Sequence, residues 1–200
     1  MAEPKPKRVK GALPSCPKHF MNNRSGVRQN FPPLLEEGLC GVSSVLMQLS
    51  YRLLALAEVF DQSNVALARV SKFFLEQSEE EQRAAEALLK HMTNRGGYYC
   101  SKTLQKPGCE HVGDVMTALH IALNEWKTIL GYLEELYNIS IDLSDPHTAG
   151  VIKKHFIEPK VRKVKVTGDL LTNTRRLGCT QDGKSSFGEY LIDRLEEELK

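Results

Sequence analysis

Four glutamates lie close together near the middle of the chain, at spacings that could serve metal-ion chemistry. They occupy positions i, i+3, i+4 and i+5 of one segment: Glu76, Glu79, Glu80 and Glu81. On a helix the first three share one face, and Glu81 turns toward another. Clustered carboxylates bind hard metal cations through oxygen. A solvated acidic surface would contain the same residues, so both interpretations stay open.

The segment that carries these acids, residues 72–97, predicts one long amphipathic helix. Its apolar residues recur at helical spacing: Phe73, Phe74, Leu88, Leu89 and Met92. Such a stripe is typical of a helix with one face packed against a core. Gly96 and Gly97 favour a helix end directly after it.

Three more long helices are predicted from apolar periodicity and from helix-start signals, over residues 33–60, 114–142 and 146–177. Residues 98–113 between the second and third helices are long enough to cross a bundle from end to end. Residues 187–199 predict a short apolar helix at the end of the chain.

Pro159 interrupts the fourth predicted helix. Proline has no amide donor, and its ring clashes with the carbonyl four residues earlier, at His155. We therefore expect a kink at this point.

The composition indicates one compact domain in a reducing compartment. The chain has 200 residues, of which 41% are hydrophobic, and a net charge of +2 that indicates no special partner. Its five cysteines are odd in number and include no C-x-x-C pair, which favours reduced thiols in a cytosolic or nuclear protein. No signal peptide and no apolar run of membrane-spanning length are evident, so we expect no membrane contact.

Residues 1–27 are rich in proline and charge and lack periodicity, which predicts a disordered arm. Four basic residues, Lys5, Lys7, Arg8 and Lys10, form the sequence P-K-P-K-R-V-K. Its core fits the short basic pattern of a nuclear-localisation signal, which an acidic importin-type receptor reads as an extended peptide. A solvated basic tail would look the same. We expect no direct nucleic-acid site, because the other basic residues form no patch.

The histidines predict no second site. Five of them show no metal-ligand spacing with one another: His91, His111, His120, His147 and His155. Each is interpreted as a surface or helix-end residue. No glycine-rich phosphate loop and no nucleophile triad occur in the sequence.

Taken together, the motifs of residues 28–196 resemble those of vertebrate ferritin subunits. They stand in register: R-Q-N-F at 28–31, F-D at 60–61, V-A-L at 65–67, N-R-G-G at 94–97, D-P-H at 145–147, G-D at 168–169 and E-Y-L at 189–191. The resemblance implies an all-α, ferritin-like four-helix bundle with one long crossover and a short fifth C-terminal helix, over residues 28–200. It also implies assembly with copies of itself into an octahedral cage.

Iron-oxidising members of that family hold two irons inside the bundle with glutamates, a histidine, a glutamine and a nearby tyrosine. In register with them, this chain has Leu46, Leu53, Glu81, Ala84, Trp126 and Lys160. Only Glu81 keeps a ligand, so the resemblance implies a degenerate centre, no catalytic diiron site and no enzyme activity. Lys160 is interpreted as pairing with Glu81 in place of the metal. The alternative is that its side chain extends outward past Pro159.

The resemblance also assigns the acidic cluster a role with iron. Glu76, Glu79 and Glu80 match positions where light-type subunits present carboxylates that nucleate iron mineral, although Arg83 replaces a further acid. Iron would then be bound weakly as mineral, or through partner subunits.

Two pores of the family's cage would be altered in this chain. At the threefold pore, Gly150 and Lys153 replace acids that draw cations in. At the fourfold axis the last helix offers an apolar plug: Phe187, Leu191 and Leu195.

We therefore expect a non-enzymatic subunit that co-assembles with heavy-type ferritin subunits and carries ferritin into the nucleus. Within the family the chain is most similar to the nuclear-transporter type, found in nucleus and cytoplasm. One alternative is a light-type subunit for cytosolic iron storage with an inert tail. Another is a ferroxidase with rearranged ligands, Glu80, Glu81 and Glu125.

Overall fold

Helices dominate the part of the chain that the structure describes. The computed structural model describes Leu13 and residues 25–99, 112–177, 188–190 and 193. The helical segments, in chain order, are α1 (Pro33–Asp61), α2 (Ala68–Asn94), α3 (Val115–Asp142), α4 (Pro146–Ile152), a π-helical segment (Lys153–Ile157) and α5 (Glu158–Arg176). Residues 188–190 and 193 are also helical and fall within the predicted last helix. The predicted all-α fold class is confirmed.

Two of the long helices, α1 and α3, lie within one residue of their predicted bounds. α2 instead begins at Ala68, earlier than the stretch 72–97 from which it was predicted. The Asp193 carboxylate accepts hydrogen bonds from the amides of Arg69 and Val70, at 2.8 and 3.1 Å. It thereby satisfies two of the free amides of the first turn. Because this cap comes from the far end of the chain, the local sequence does not reveal it.

The contacts at the helix ends show that α2 and α3 run in the same direction. At one end of the bundle, Arg95 after α2 contacts Asp145 after α3 at 2.9 Å. At the other end, the last helix caps α2, and its Glu189 accepts a hydrogen bond from the amide of Val115 in α3 at 3.0 Å. Helices of 27 and 28 residues are about 40 Å long, so the connection between them spans the bundle. This is the predicted crossover, whose residues 100–111 lie outside the described part.

The core lies where α1 packs against α2 and α3, and where α3 packs against α5. Its largest fully buried side chains are aromatic and aliphatic: Trp126, Phe60, Phe74, Leu35, Leu39, Leu46, Leu53, Leu88, Met92, Ile129, Leu133 and Leu136. Phe60 and Phe74 stack with their ring centroids 5.7 Å apart, which joins the end of α1 to α2. Trp126 is the largest of the set and contributes directly to the site described below.

The fourth long helix is less regular than the single helix predicted for residues 146–177. After α4, five residues form a π-helical turn, in which the amide of Glu158 donates to the carbonyl of Lys153, five residues back. Pro159 lies directly after this turn. A wider turn accommodates the proline ring, which would clash with the carbonyl of His155 in a regular α-helix. The disturbance predicted at Pro159 therefore takes the form of a π-helical insertion.

Among the described helices, α1 is long and apolar enough to cross a membrane by length and composition alone. The expectation that no run approaches this length is therefore wrong for α1. Just over half of its most apolar stretch, 56%, is buried inside the bundle. Burial of this kind is what a central helix of a bundle requires.

Of the arm before residue 25, the structure describes Leu13, which lies against the bundle. Its half-buried side chain packs on the core, and a Cβ atom added at Gly38 of α1 would lie 3.5 Å from it. The basic residues predicted as a nuclear-localisation signal lie outside the described residues: Lys5, Lys7, Arg8 and Lys10. The division into an arm of residues 1–27 and a domain of residues 28–200 stays a prediction.

Gly96 ends α2 with a backbone conformation that we expect other residues to tolerate poorly. Its φ is +72°, and an added Cβ would lie 2.7 Å from Ser25 Oγ and 2.8 Å from the amide nitrogen of Arg28. Replacing Gly96 with alanine should lower the free energy of unfolding by about 2 kcal/mol, measured by chemical denaturation.

Gly131 provides the matched control for this substitution. It lies in the interior of α3, and an added Cβ would meet nothing within 4 Å. Gly131→Ala should raise the free energy of unfolding by about 0.5–1 kcal/mol, because alanine favours the helix more strongly. Equal effects of the two substitutions would contradict the assignment of Gly96 as the required helix end.

Candidate functional site

Glu81 is fully buried on α2 and forms the centre of a charged cluster inside the bundle. Lys160 from α5 places its Nζ 2.6 Å from Oε1 and 2.5 Å from Oε2 of Glu81. Trp126 from α3 donates its indole N–H to Oε1 at 2.9 Å. Lys163, one turn after Lys160, donates to the same oxygen at 2.9 Å. Three helices therefore meet at one carboxylate.

These contacts confirm the predicted pairing of Lys160 with Glu81. Only 6% of Lys160 is exposed, so the alternative in which its side chain extends outward is wrong. Burial would raise the pKa of Glu81, but the charges and hydrogen bonds of Lys160 and Lys163 bring it below its ordinary value. Burial lowers the pKa of Lys160, and the Glu81 carboxylate opposes that shift. The contact of Nζ with both carboxylate oxygens is the geometry of a charge-assisted hydrogen-bonded pair.

Lys163 is a member of the cluster that sequence reasoning missed. Its Nζ lies 2.9 Å from Glu81 and 2.8 Å from Oε2 of Glu80. It also lies 5.3 Å from the centre of the Trp126 ring, which gives a cation–π contact. The available signal was its spacing of three residues from Lys160, which places both ammonium groups on one face of α5.

The six positions that the sequence resemblance matches to a two-iron centre do not offer a metal-ligand set. Leu46, Leu53 and Trp126 are fully buried, and Ala84 is half-buried against the same core. Alkyl groups, an indole N–H and an ammonium group provide no lone pair for a cation. The oxygens of Glu81 already accept three donors. The residues at these positions therefore do not fit a pair of irons.

The three acids proposed for an alternative iron-oxidising site, Glu80, Glu81 and Glu125, do not lie together in the structure. Glu125 contacts Arg52 of α1, and Glu80 contacts Lys163. Within the described residues, no group of three or more His, Cys, Asp or Glu side chains is placed to hold a metal ion. Glu80, Glu81 and Glu125 thus do not form such a group.

Three acids of α2, Glu76, Glu79 and Glu80, are exposed, and nearby cations balance their charge. Its three ion pairs are Lys72 with Glu76 at 4.0 Å, Arg83 with Glu79 at 3.7 Å, and Lys163 with Glu80 at 2.8 Å. The pairs of Lys72 with Glu76 and of Arg83 with Glu79 are exposed and contribute little to stability. All three pairs weaken the negative field that would collect cations. This geometry suits a solvated, charge-balanced face as well as a weak mineral-binding surface.

The predicted pore residues are only partly described. Gly150 of α4 and Lys153, the first residue of the π-helical segment, are both exposed to solvent. A ring of lysines at a pore would repel cations. The predicted apolar plug lies outside the described residues: Phe187, Leu191 and Leu195.

The buried pair can be tested by a double-mutant cycle with Glu81→Ala and Lys160→Met. Glu81→Ala should lower the free energy of unfolding by about 3–5 kcal/mol, because it leaves the buried ammonium group of Lys160 without its carboxylate. The cycle should give a coupling energy of about 1–3 kcal/mol, measured by chemical denaturation.

The exposed pair of Lys165 and Asp169 on α5 is the control for this cycle. Its side chains are 73% and 59% exposed. The corresponding cycle with Lys165→Met and Asp169→Ala should give a coupling energy below about 0.5 kcal/mol. A coupling energy no larger for the buried pair than for the exposed pair would refute the structural importance of the cluster.

Comparison with known proteins places this bundle in a family. Residues 41–177 match the family described as Ferritin-like domain. The oocyte isoform of the ferritin light chain of Xenopus laevis is 36% identical over 175 residues, which cover 88% of this chain and 97% of the relative. The ferritin light chain of Oryctolagus cuniculus is 37% identical, covering 86% and 96%. The ferritin middle subunit of Aquarana catesbeiana is 33% identical, covering 85% and 95%. The chain therefore belongs to the ferritin family.

Proposed function

We propose that this ferritin subunit for iron storage co-assembles with heavy-type ferritin subunits, supplies no ferroxidase centre of its own and carries the mixed cage into the nucleus. In this respect it is similar to ferritoid, the nuclear-transporter type of ferritin subunit. The contact of the Lys160 ammonium with both oxygens of Glu81 is the observation that supports the proposed lack of a ferroxidase centre.

Loss of iron oxidation follows from the chemistry of that contact. The one carboxylate left from the family's centre already binds two ammonium groups, from Lys160 and Lys163. An iron at this position would have to displace a cation from its counter-ion and would find an indole and two leucines as its other neighbours. Such an exchange has little driving force, since iron prefers several carboxylate and imidazole ligands.

Assembly into a cage is the common property of ferritin subunits, and the surface of this bundle suits it. Large apolar side chains are exposed along α1 and α2: Leu34, Tyr51, Leu54 and Leu75. Exposed apolar side chains of this kind favour contact between subunits. A subunit that neither oxidises iron nor attracts it at its pores would depend on heavy-type neighbours in the same cage for both steps.

The basic arm is the feature that this subunit would add to such a cage. Lys5, Lys7, Arg8 and Lys10 lie within six residues of one another. A short basic peptide binds an acidic importin-type groove weakly on its own, but several copies on one cage would add avidity. Leu13 packs on the bundle beside Gly38, three residues after the last of the four basic residues.

A light-type subunit for cytosolic storage, with an inert tail, is the second candidate. Two of the relatives above are ferritin light chains. The exposed acids of α2 support this candidate as well, since Glu76, Glu79 and Glu80 could bind iron mineral despite their ion pairs. The two candidates share a storage role and differ in the role of the arm.

The purified chain should oxidise Fe(II) no faster than buffer does. The physical reason is the missing ligand set around Glu81. Oxygen consumption after addition of Fe(II) measures the rate, and a heavy-type ferritin subunit serves as the positive control. Rapid oxygen uptake by this chain would instead support a ferroxidase with rearranged ligands.

Co-expression with a fluorescent heavy-type subunit tests transport. With the intact chain, the heavy-type subunit should enter nuclei. With Lys7, Arg8 and Lys10 changed to alanine, it should remain in the cytoplasm, because the importin-type receptor loses its charged contacts.

A second triple variant controls for the loss of charge. Lys90, Lys127 and Lys154 are exposed on the bundle, and their change to alanine should leave nuclear entry intact. Cytoplasmic heavy-type subunit with the intact chain would contradict transport and favour light-type storage. Nuclear entry that survives the arm variant would show that the basic segment is not the signal.

A further inference from the structure

Two histidines that are far apart in the sequence lie side by side in the structure. His91 is in the last turn of α2, and His147 is in the first turn of α4. Their ring centroids are 5.4 Å apart, with an angle of 32° between the ring planes. His91 is half-buried and His147 is exposed. The pair therefore lies at the end of the bundle with one side open to solvent.

Hydrogen bonds around Thr148 fix the tautomer of His91. The Thr148 hydroxyl donates to Asp145 Oδ2 at 2.7 Å and accepts from Arg95 Nη1 at 3.2 Å. Since its one proton is given to Asp145, its 3.0 Å contact with His91 Nε2 requires that Nε2 donates. The lone pair of neutral His91 is then on Nδ1, for which the described residues provide no hydrogen-bond donor.

The hydrogen bond to Thr148 fixes the orientation of the His91 ring. Burial lowers the pKa of His91, and the nearby His147 and Arg95 lower it further, against the raising effect of Asp145. A metal ligand needs an imidazole with a free lone pair, which this tautomer has on Nδ1. Its other nitrogen is held through Thr148 by a carboxylate, which is the type of outer contact that orients metal-bound histidines.

The separation of the two rings fits a shared metal ion. A zinc–nitrogen bond of about 2.0–2.1 Å places the metal about 3.2 Å from the centre of each ring, and a tetrahedral angle then separates the ring centres by about 5 Å. The observed separation is 5.4 Å. Because His147 is exposed, its ring can turn a nitrogen toward the ion, and water can complete the coordination.

We propose that His91 and His147 form a two-imidazole site for a divalent cation of the zinc and copper class. Imidazole suits these metals, whereas carboxylates suit harder ions. The site is separate from the Glu81 cluster, which lies in the middle of α2, and from the acidic face of that helix. The carboxylate of Asp145, itself bound to Arg95 at 2.9 Å, limits the repulsion between an incoming cation and the guanidinium group.

The site can be tested by titrating the full-length chain with Zn²⁺ in a calorimeter and by electron paramagnetic resonance with Cu²⁺ as the probe. We expect one site per chain with two nitrogen ligands in the Cu²⁺ spectrum. His147→Gln, an exposed substitution that should not disturb folding, should weaken binding at least about tenfold and remove one nitrogen from the spectrum. His91→Gln should have the same effect.

His155→Gln is the matched control, because His155 is exposed on the neighbouring π-helical segment. The affinity of this variant for Zn²⁺ should equal that of the unmodified chain. Unchanged binding in His147→Gln, or equal weakening in His155→Gln, would overturn the proposal and show that the ions bind elsewhere. Circular dichroism of each variant separates loss of the site from loss of the fold.

Discussion

A carboxylate in the middle of an apolar bundle requires charged hydrogen-bond donors, and this requirement shapes the structure on every side of Glu81. The cost of burying an isolated carboxylate is several kcal/mol even after relaxation of its surroundings. Here Lys160, Lys163 and Trp126 meet that cost with hydrogen bonds from two other helices. These hydrogen bonds fix the positions of the three helices relative to one another. The other contacts of the core are mostly apolar, and apolar contacts tolerate small shifts more readily.

The hydrogen bonds of Glu81 also define the rotation of α5 about its own axis. Lys160 follows Pro159 directly, and the π-helical turn before them contains more residues than an α-helical turn would. One extra residue in a helix rotates everything after it by about 100°. The residues that α5 turns toward the core are thus set jointly by the proline, the wide turn and the carboxylate. Both lysines of the cluster depend on that rotation.

Much of the fold could be predicted from local patterns, because apolar spacing fixes the ends of α1 and α3 to within one residue. The pairing of Lys160 with Glu81 was also predictable, since a single buried acid in a family register demands a counter-ion. The rest depends on contacts distant in sequence. The start of α2 is capped by Asp193, and His91 and His147 meet only because two helix ends are adjacent. Lys163 was overlooked because its side chain crosses to α2, and a basic helix face is more often solvated.

The helix caps supplied by the last helix also affect the order in which the protein folds during synthesis. Asp193 and Glu189 satisfy amides at the beginning of α2 and α3, helices that begin far earlier in the chain. A ribosome releases those helices long before it releases their caps, and domains fold as units during synthesis. The first turns of the two helices would therefore keep exchanging with water until Glu189 and Asp193 emerge. Completion of the bundle waits in this way for the last helix, so that a chain truncated before Glu189 would present frayed helix ends to quality control.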